Sequence, residues 1–408
     1  MLGSNALRYL VVAGSVLALI TGSVSSNPES ASATGQLGSN LIAQDIGKKP
    51  ADDLVAGDEG AKAATSLPCE ATFELKDIGV HDPFIMPDPV SGIYYLYQGR
   101  TVRMSIDLVH WCAPQTVFTV PTDSWATSQA PWAPEAWYFN GKYYWFGTLH
   151  NPNTVLATAS TQGQSCGDCG QIWQNQTARG TIVAMADTPL GPFEMINTET
   201  PVAPADFMTL DGTFYVDRAG KPWMVYAHEW VQKIDGTIEA IRLEQDANGD
   251  LTGRGLGDPI YLVKGSDAPW YYQEGRVDSV QLPPYVTDGP SFFRTSNGDL
   301  LMYWTSYRKH NNEYVVTRAR SKSGELAGPW VQEDVVITGN KGHSMLFWTF
   351  ADKQNASKIL MALHNNMNRS NIRTELYEMK ATGNDLVVAR QRTDLDGDPS
   401  SSWVWPIQ

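Results

Sequence analysis

Five times along this chain an apolar strand enters a short turn containing Gly, Asp or Asn and returns as a second, aromatic strand. The five pairs are "HDPFIMPDPVSGIYYLY", "APEAWYFNGKYYWFG", "LDGTFYVDRAGKPWMVY", "TDGPSFFRTSNGDLLMYW" and "HSMLFWTFADKQNASKILMAL", beginning near residues 81, 133, 210, 287 and 343. A spacing of about 50 to 80 residues is too long for a solenoid repeat and suits the blades of a propeller. Two later segments repeat as well: "VAMADTPLGPFE" and "RARSKSGELAGPWVQE" each run from a strand through a small turn to Gly-Pro-aromatic. No segment carries a long 3.6-residue apolar period with caps, so helices should be few. These features predict an all-β chain, a five-bladed β-propeller whose radial packing leaves only short edges. A β-sandwich is the alternative, but it has no need of one strand pair repeated with an acid at its start.

The strand pairs do not fill the 408 residues. Residues 1–25 carry a lone Arg8, the apolar run "YLVVAGSVLALI" and small residues "SVS", the pattern of a secretory signal peptide too short to span a bilayer. Residues 26–67 are rich in Ser, Ala, Gly and Asp without aromatics, which reads as a low-complexity linker. The propeller is therefore assigned to residues 68–408. Export agrees with the four cysteines: Cys69 and Cys112 can bridge, and the "CGDC" of Cys166 to Cys169 can form a second loop disulfide. Sequons stand at Asn175, Asn355 and Asn368.

A net charge of -14 repels nucleic acid and anionic lipid at long range, and with the lack of a spanning segment it excludes both as partners. The charge is compatible with neutral substrates. Aromatic residues make up 11% of the chain, 14 of them Trp, and their faces are where the apolar C–H surfaces of sugars stack.

Three of the five units open on an acid: Asp82, Asp211 and Asp288. An isolated Asp-Gly or Asp-Pro is ordinary turn chemistry. In a propeller, however, the first strand of every blade lines the channel, so these starts converge. Carboxylates gathered in a partly buried funnel push one another's pKa values apart, leaving one acid protonated to donate and another ionised to activate water.

The succession "HDPFIM", "SIDLVHW", "WAPEAWYFNGKYYWFGT", "LDGTFYVDRAGKPWMVYAHEW", "TDGPSFFRTSNGDLLMYW" and "KGHSMLF" resembles glycoside hydrolase family 43, in its arabinofuranosidase and xylosidase group. The resemblance implies a secreted glycosidase that hydrolyses terminal or side-chain furanosides or xylosides (arabinofuranose, xylose or galactofuranose) of wall polysaccharides by single displacement with inversion. It makes Asp82 the general base, Asp211 the residue that tunes the acid, and Asp288 the proton donor. The family usually has Glu-Gly-Pro where this chain has Asp288-Gly289-Pro290, and the shorter side chain sets its carboxyl back by about 1.5 Å, comparable to misplacements that cost much of a rate. Glu229, in "AHEW", is the alternative donor; the Glu-Gly at Glu274 has no strand alignment. Sugar contacts are expected from His81, Trp132, Glu135, Glu229, Trp230 and His343, with Trp348 a further stacking candidate. No cofactor is required, though His343 implies a neighbouring structural calcium-type ion, and the protein is expected to act as a monomer. Rival expectations are a catalytically inactive carbohydrate-binding propeller and a retaining fructan-type enzyme.

Overall fold

A computed structural model describes residues 63–156, 164–165, 171–172, 176–271, 285–308, 313–351, 356–367 and 369–398. The signal segment, the linker up to residue 62, the second cysteine pair, Glu274 and all three sequon asparagines lie outside them.

Alternating aromatic and β-branched strands joined by glycine turns pair with their nearest neighbours in sequence, and the outcome is five four-stranded antiparallel sheets. Their innermost strands are Phe84–Pro87, Trp132–Phe139, Thr209–Val216, Asp288–Arg294 and Gly342–Trp348. Each inner strand packs on the next, and the fifth packs on the first, closing a ring of five blades. Blades 1 to 5 thus carry, in order, the five strand pairs legible in the sequence. Among the described residues the longest helix is the four-residue Trp230–Lys233.

Aromatic rings fill the wedges between blades. Phe139, Tyr144, Phe146, Phe214 and Tyr226 are buried together between blades 2 and 3, and Tyr215, Phe292 and Trp304 between blades 3 and 4. The repeated Gly-Pro-aromatic segments form equivalent turns before the outer strands of blades 2 and 4, each with a cis proline after Gly191 or Gly328.

Blades 1 and 5 share no strand, so side chains and an N-terminal strap close the ring. The strap strand Ala71–Glu74 pairs with His110–Cys112. Beyond it, Lys76 N–H donates to the Asp396 carbonyl at 2.9 Å, and Arg373 Nε of blade 5 donates to the Lys76 carbonyl at 2.9 Å. The Cys69–Cys112 disulfide ties the strap to blade 1, with Cα atoms 6.1 Å apart and 43 residues of separation. Replacing both cysteines by serine frees that loop in the unfolded chain and should lower unfolding free energy by about 2–4 kcal/mol. Urea titration of the two oxidised proteins measures this; an unchanged midpoint would mean the strap is held by its other contacts alone.

Candidate active site

Each inner strand begins with one residue in the left-handed region: Asp82 (φ 51°), Ala133 (43°), Asp211 (56°), Gly289 (49°) and His343 (52°). For a residue with a Cβ this conformation costs about 1–2 kcal/mol, and such strain gathers at functional sites. In blades 2 to 5 the ladder register shifts at the same place, between Trp132 and Glu135, Leu210 and Thr213, Asp288 and Ser291, and Gly342 and Met345. A bulge of this kind re-aims side chains. Two residues further on, Phe84, Glu135, Thr213, Ser291 and Met345, one from each blade, line an axial cavity of ≈ 10 Å³. Such a cavity takes about one water molecule. The five left-handed residues therefore ring the channel one layer above this floor.

In blades 1, 3 and 5 the N–H of the left-handed residue is satisfied by a side chain at one paired position in the second strand of the preceding blade. Thr148 Oγ1 accepts from Asp211 N–H at 2.9 Å, Thr305 Oγ1 from His343 N–H at 2.9 Å, and His364 Nδ1 from Asp82 N–H at 3.1 Å. Blade 3 has Ala227 at this position, opposite Leu210, and offers no such acceptor. The Gly289 N–H donates instead to Asp211 Oδ2 at 3.0 Å. One missing hydroxyl thus redirects a backbone donor onto a carboxylate. Glycine suits this place: a Cβ on Gly289 would lie 2.9 Å from the His343 ring.

Asp82, Asp211, Asp288 and His343 come together around the channel. His343 Nδ1 lies 3.3 Å from Asp82 Oδ1 and 3.6 Å from Asp211 Oδ2. His364 Nδ1 is also 3.3 Å from Asp82 Oδ1. Asp288 is not equivalent to the other two acids: it stands one residue before the left-handed position, where blades 3 and 5 have Leu210 and Gly342. Its Oδ2 accepts from the Tyr314 hydroxyl at 2.8 Å.

These surroundings drive the acids apart. Burial would raise the Asp82 acid, but His343, His364 and His81 outweigh it and hold the carboxyl well below the usual range. Burial, with the neighbouring charge of Asp82, pushes Asp211 well up. Asp288 is likewise pushed well up by burial and by Asp211, while the Tyr314 hydrogen bond works against the rise. The surroundings thus favour the carboxylate form of Asp82 and the protonated forms of Asp211 and Asp288.

The remaining expected residues lie around this cluster. His81 is exposed beside Asp82, its ring edge-on to His364 at 5.5 Å. Trp132, 40% exposed, presents a ring face at the start of blade 2, with the Arg179 guanidinium stacked 4.6 Å from its centroid. Glu135 belongs to the channel floor, where Trp137 Nε1 and Thr213 Oγ1 both donate to its Oε2 at 2.8 Å. Burial pushes its acid up to about 8, and this buried place does not offer it to sugar hydroxyls. Glu229, 3% exposed, has both oxygens on Arg179 Nη1, at 2.5 and 2.8 Å. Burial raises its acid and the guanidinium offsets part of the rise. Trp230 packs in a small apolar cluster with Leu156, Met208 and Val231. Trp348 ends the strand that His343 begins and packs with the core between blades 4 and 5, away from the cluster.

A calcium-type ion prefers six to eight oxygen ligands. His343 Nδ1 is committed to two carboxylates, and the one group of three metal-capable side chains found among the described residues, His81, Asp82 and His364, brings a single carboxylate. That donor set does not fit a calcium cage.

A five-bladed channel with opposed carboxyl groups at its mouth defines a glycosidase of the propeller class. The chain belongs to glycosyl hydrolases family 43, whose model matches residues 78–350. It is similar to the endo-arabinase of Bacteroides thetaiotaomicron VPI-5482: 30% identity, TM-score 0.63, covering 78% of this chain and 99% of that one. It is also similar to a probable arabinan endo-1,5-alpha-L-arabinosidase B of Aspergillus fumigatus, 25% identical over 303 residues, which are 66% of this chain and 71% of that protein. The extracellular endo-alpha-(1->5)-L-arabinanase 1 of Bacillus subtilis (strain 168) is 23% identical over 181 residues, 41% of this chain. The chain spans about half (49%) of that relative's length.

Proposed function

We propose that this glycosidase cleaves internal α-1,5-linked arabinofuranosyl bonds of arabinan, outside the cell, by single displacement with inversion. The observation that carries the mechanism is the meeting of Asp82, Asp211 and Asp288 around the channel beside His343, with Asp82 the one whose surroundings favour the carboxylate. Asp82 takes a proton from water as its oxygen bonds to the anomeric carbon. The bond from that carbon to the leaving oxygen breaks, and Asp288 gives its proton to that oxygen. Asp211, anchored by the Gly289 N–H, tunes Asp288: negative charge on it raises the Asp288 pKa.

Similarity to three arabinan-cleaving proteins supports arabinan as the substrate and internal bonds, in place of the terminal or side-chain bonds the sequence implied. The extracellular relative and the apolar N-terminal run support export. Among the described residues no helix is long and apolar enough to cross a membrane. Trp132 and His81, exposed beside the cluster, are the favoured sugar contacts.

Digestion of linear α-1,5-arabinan, followed by chromatography at early times, tests this. A ladder of oligosaccharides is expected; arabinose alone would replace internal by terminal cleavage, and no release from any furanoside or xyloside would favour the inactive carbohydrate-binding alternative.

The redirected N–H gives a second test. Ala227→Thr restores the hydroxyl that blades 2 and 4 place there and should draw the Gly289 N–H from Asp211. Loss of a hydrogen bond to a neutral acid, about 0.5–1.5 kcal/mol, should lower kcat by about two- to tenfold. Unchanged kcat in the folded variant would remove Asp211 anchoring from the scheme.

A further inference from the structure

Tyr314 lies outside every motif that marked the site, yet it touches the donor carboxyl. We infer that Tyr314 is a positioning residue for Asp288: its hydroxyl fixes one carboxyl oxygen so that the other is aimed at the leaving oxygen, and it stabilises the carboxylate left after donation. The inference rests on Asp288 being the donor.

The geometry is that of a caged donor. Tyr314, 1% exposed, is the second residue of the third strand of blade 4, Glu313–Ser321. Its ring stacks on His364 at 5.7 Å with planes 7° apart, and on the other flank meets Tyr307 at 4.7 Å. Its carbonyl accepts from Lys341 N–H at 2.8 Å, and its N–H donates to Asn340 Oδ1 at 3.3 Å. The ring uses space that Gly342 leaves, since a Cβ there would fall 2.5 Å from Tyr314 Cε1. Held on these sides, the ring has little room to swing, and its hydroxyl stays 2.8 Å from Asp288 Oδ2.

Asp has one torsion fewer than the Glu usual in the family, so fixing Oδ2 largely fixes where Oδ1 points. A hydrogen bond to an ionised carboxylate is roughly twice as strong as one to the neutral acid. The contact therefore tightens as the proton leaves, which is when it lowers the barrier. The same His364 whose ring stacks on Tyr314 accepts the Asp82 N–H, so one imidazole supports both ends of the reaction.

Tyr314→Phe keeps the ring and removes the hydroxyl. On arabino-oligosaccharides, with a poor leaving group, kcat should fall by about ten- to a hundredfold; on an activated dinitrophenyl arabinofuranoside it should fall less than about threefold. The groups facing Asp288 are Asp211, Tyr314, His343 and Asp82. Of these, Tyr314 favours the carboxylate by its hydrogen bond, so its loss should move the alkaline limb of the kcat profile to higher pH. Equal losses on both substrates with an unmoved limb would mean a structural role only and overturn the inference. In an Asp288→Asn background, Tyr314→Phe should have no further effect on oligosaccharides; a full additional loss there would also overturn it. If Asp288→Asn alone leaves oligosaccharide cleavage intact, the donor assignment fails instead, and the two failures are distinguished.

Discussion

Asp82→Asn should lower kcat on arabino-oligosaccharides by about three to four orders of magnitude, with no comparable loss of stability. An amide cannot take the proton of the attacking water, and the water is needed whatever sugar leaves. An activated aryl arabinofuranoside should therefore lose as much as the natural polymer. The fold should survive because Asn tolerates the left-handed region that Asp82 occupies at φ 51°, and the backbone N–H still reaches His364. The lost term is the ion pair with His343. Matched thermal unfolding and kcat measurements check this. A variant that retains a tenth of the activity would remove Asp82 from the role of base.

The second large effect belongs to Asp288. Asp288→Asn should lower cleavage of unactivated arabinan by about two to four orders of magnitude, while a dinitrophenyl arabinofuranoside, whose leaving group needs no proton, keeps most of its turnover. The pH profile follows from the directions of the two shifts. Asp82, held low, stays ionised into the acid range, so little activity is lost as pH falls toward it. Asp288, held high, donates only while protonated, so activity falls as pH rises through its raised pKa. On the activated substrate that alkaline limb should be absent, in Asp288→Asn and in the unmodified protein alike. Glu229→Gln should not reproduce the leaving-group split, because both Glu229 oxygens are already engaged by Arg179. The opposite pattern would transfer the donor role to Glu229.

Much of this was legible because strand pairs and their turns are local. Alternating apolar residues and glycine turns mark all five inner strands, and Asp82, Asp211 and His343 stand at their starts. The sequence also showed the third acid, but not its offset. Asp288 precedes Gly289 just as Asp211 precedes Gly212, yet the residue with positive φ is Asp211 in one blade and Gly289 in the other. That difference depends on the bulge, and a bulge is set by pairing partners, not by the dipeptide.

Residues acting between blades were harder to see. Thr148, Thr305 and His364 occupy one paired position in the second strands of blades 2, 4 and 5, and aligning Ala227 with them would have exposed the redirected N–H. Tyr314 and Arg179 carry no comparable signal: each sits in a third strand where aromatic and charged residues are common, and only the pairing within blade 4, for Tyr314, or the packing of blade 2 on blade 3, for Arg179, brings it to an acid. Glu135 shows the reverse. It was expected near the channel as a sugar contact, and the register shift after Trp132 carries it to the channel floor.

Proton NMR of the reducing ends first released from linear α-1,5-arabinan, recorded before mutarotation, decides between the mechanisms open to this site. A water activated by Asp82 on the face opposite the leaving group, with Asp288 as donor, must deliver the β-anomer first. Release of the α-anomer would require two displacements through a covalent intermediate, and would contradict the assignment of Asp82 as base and Asp288 as donor.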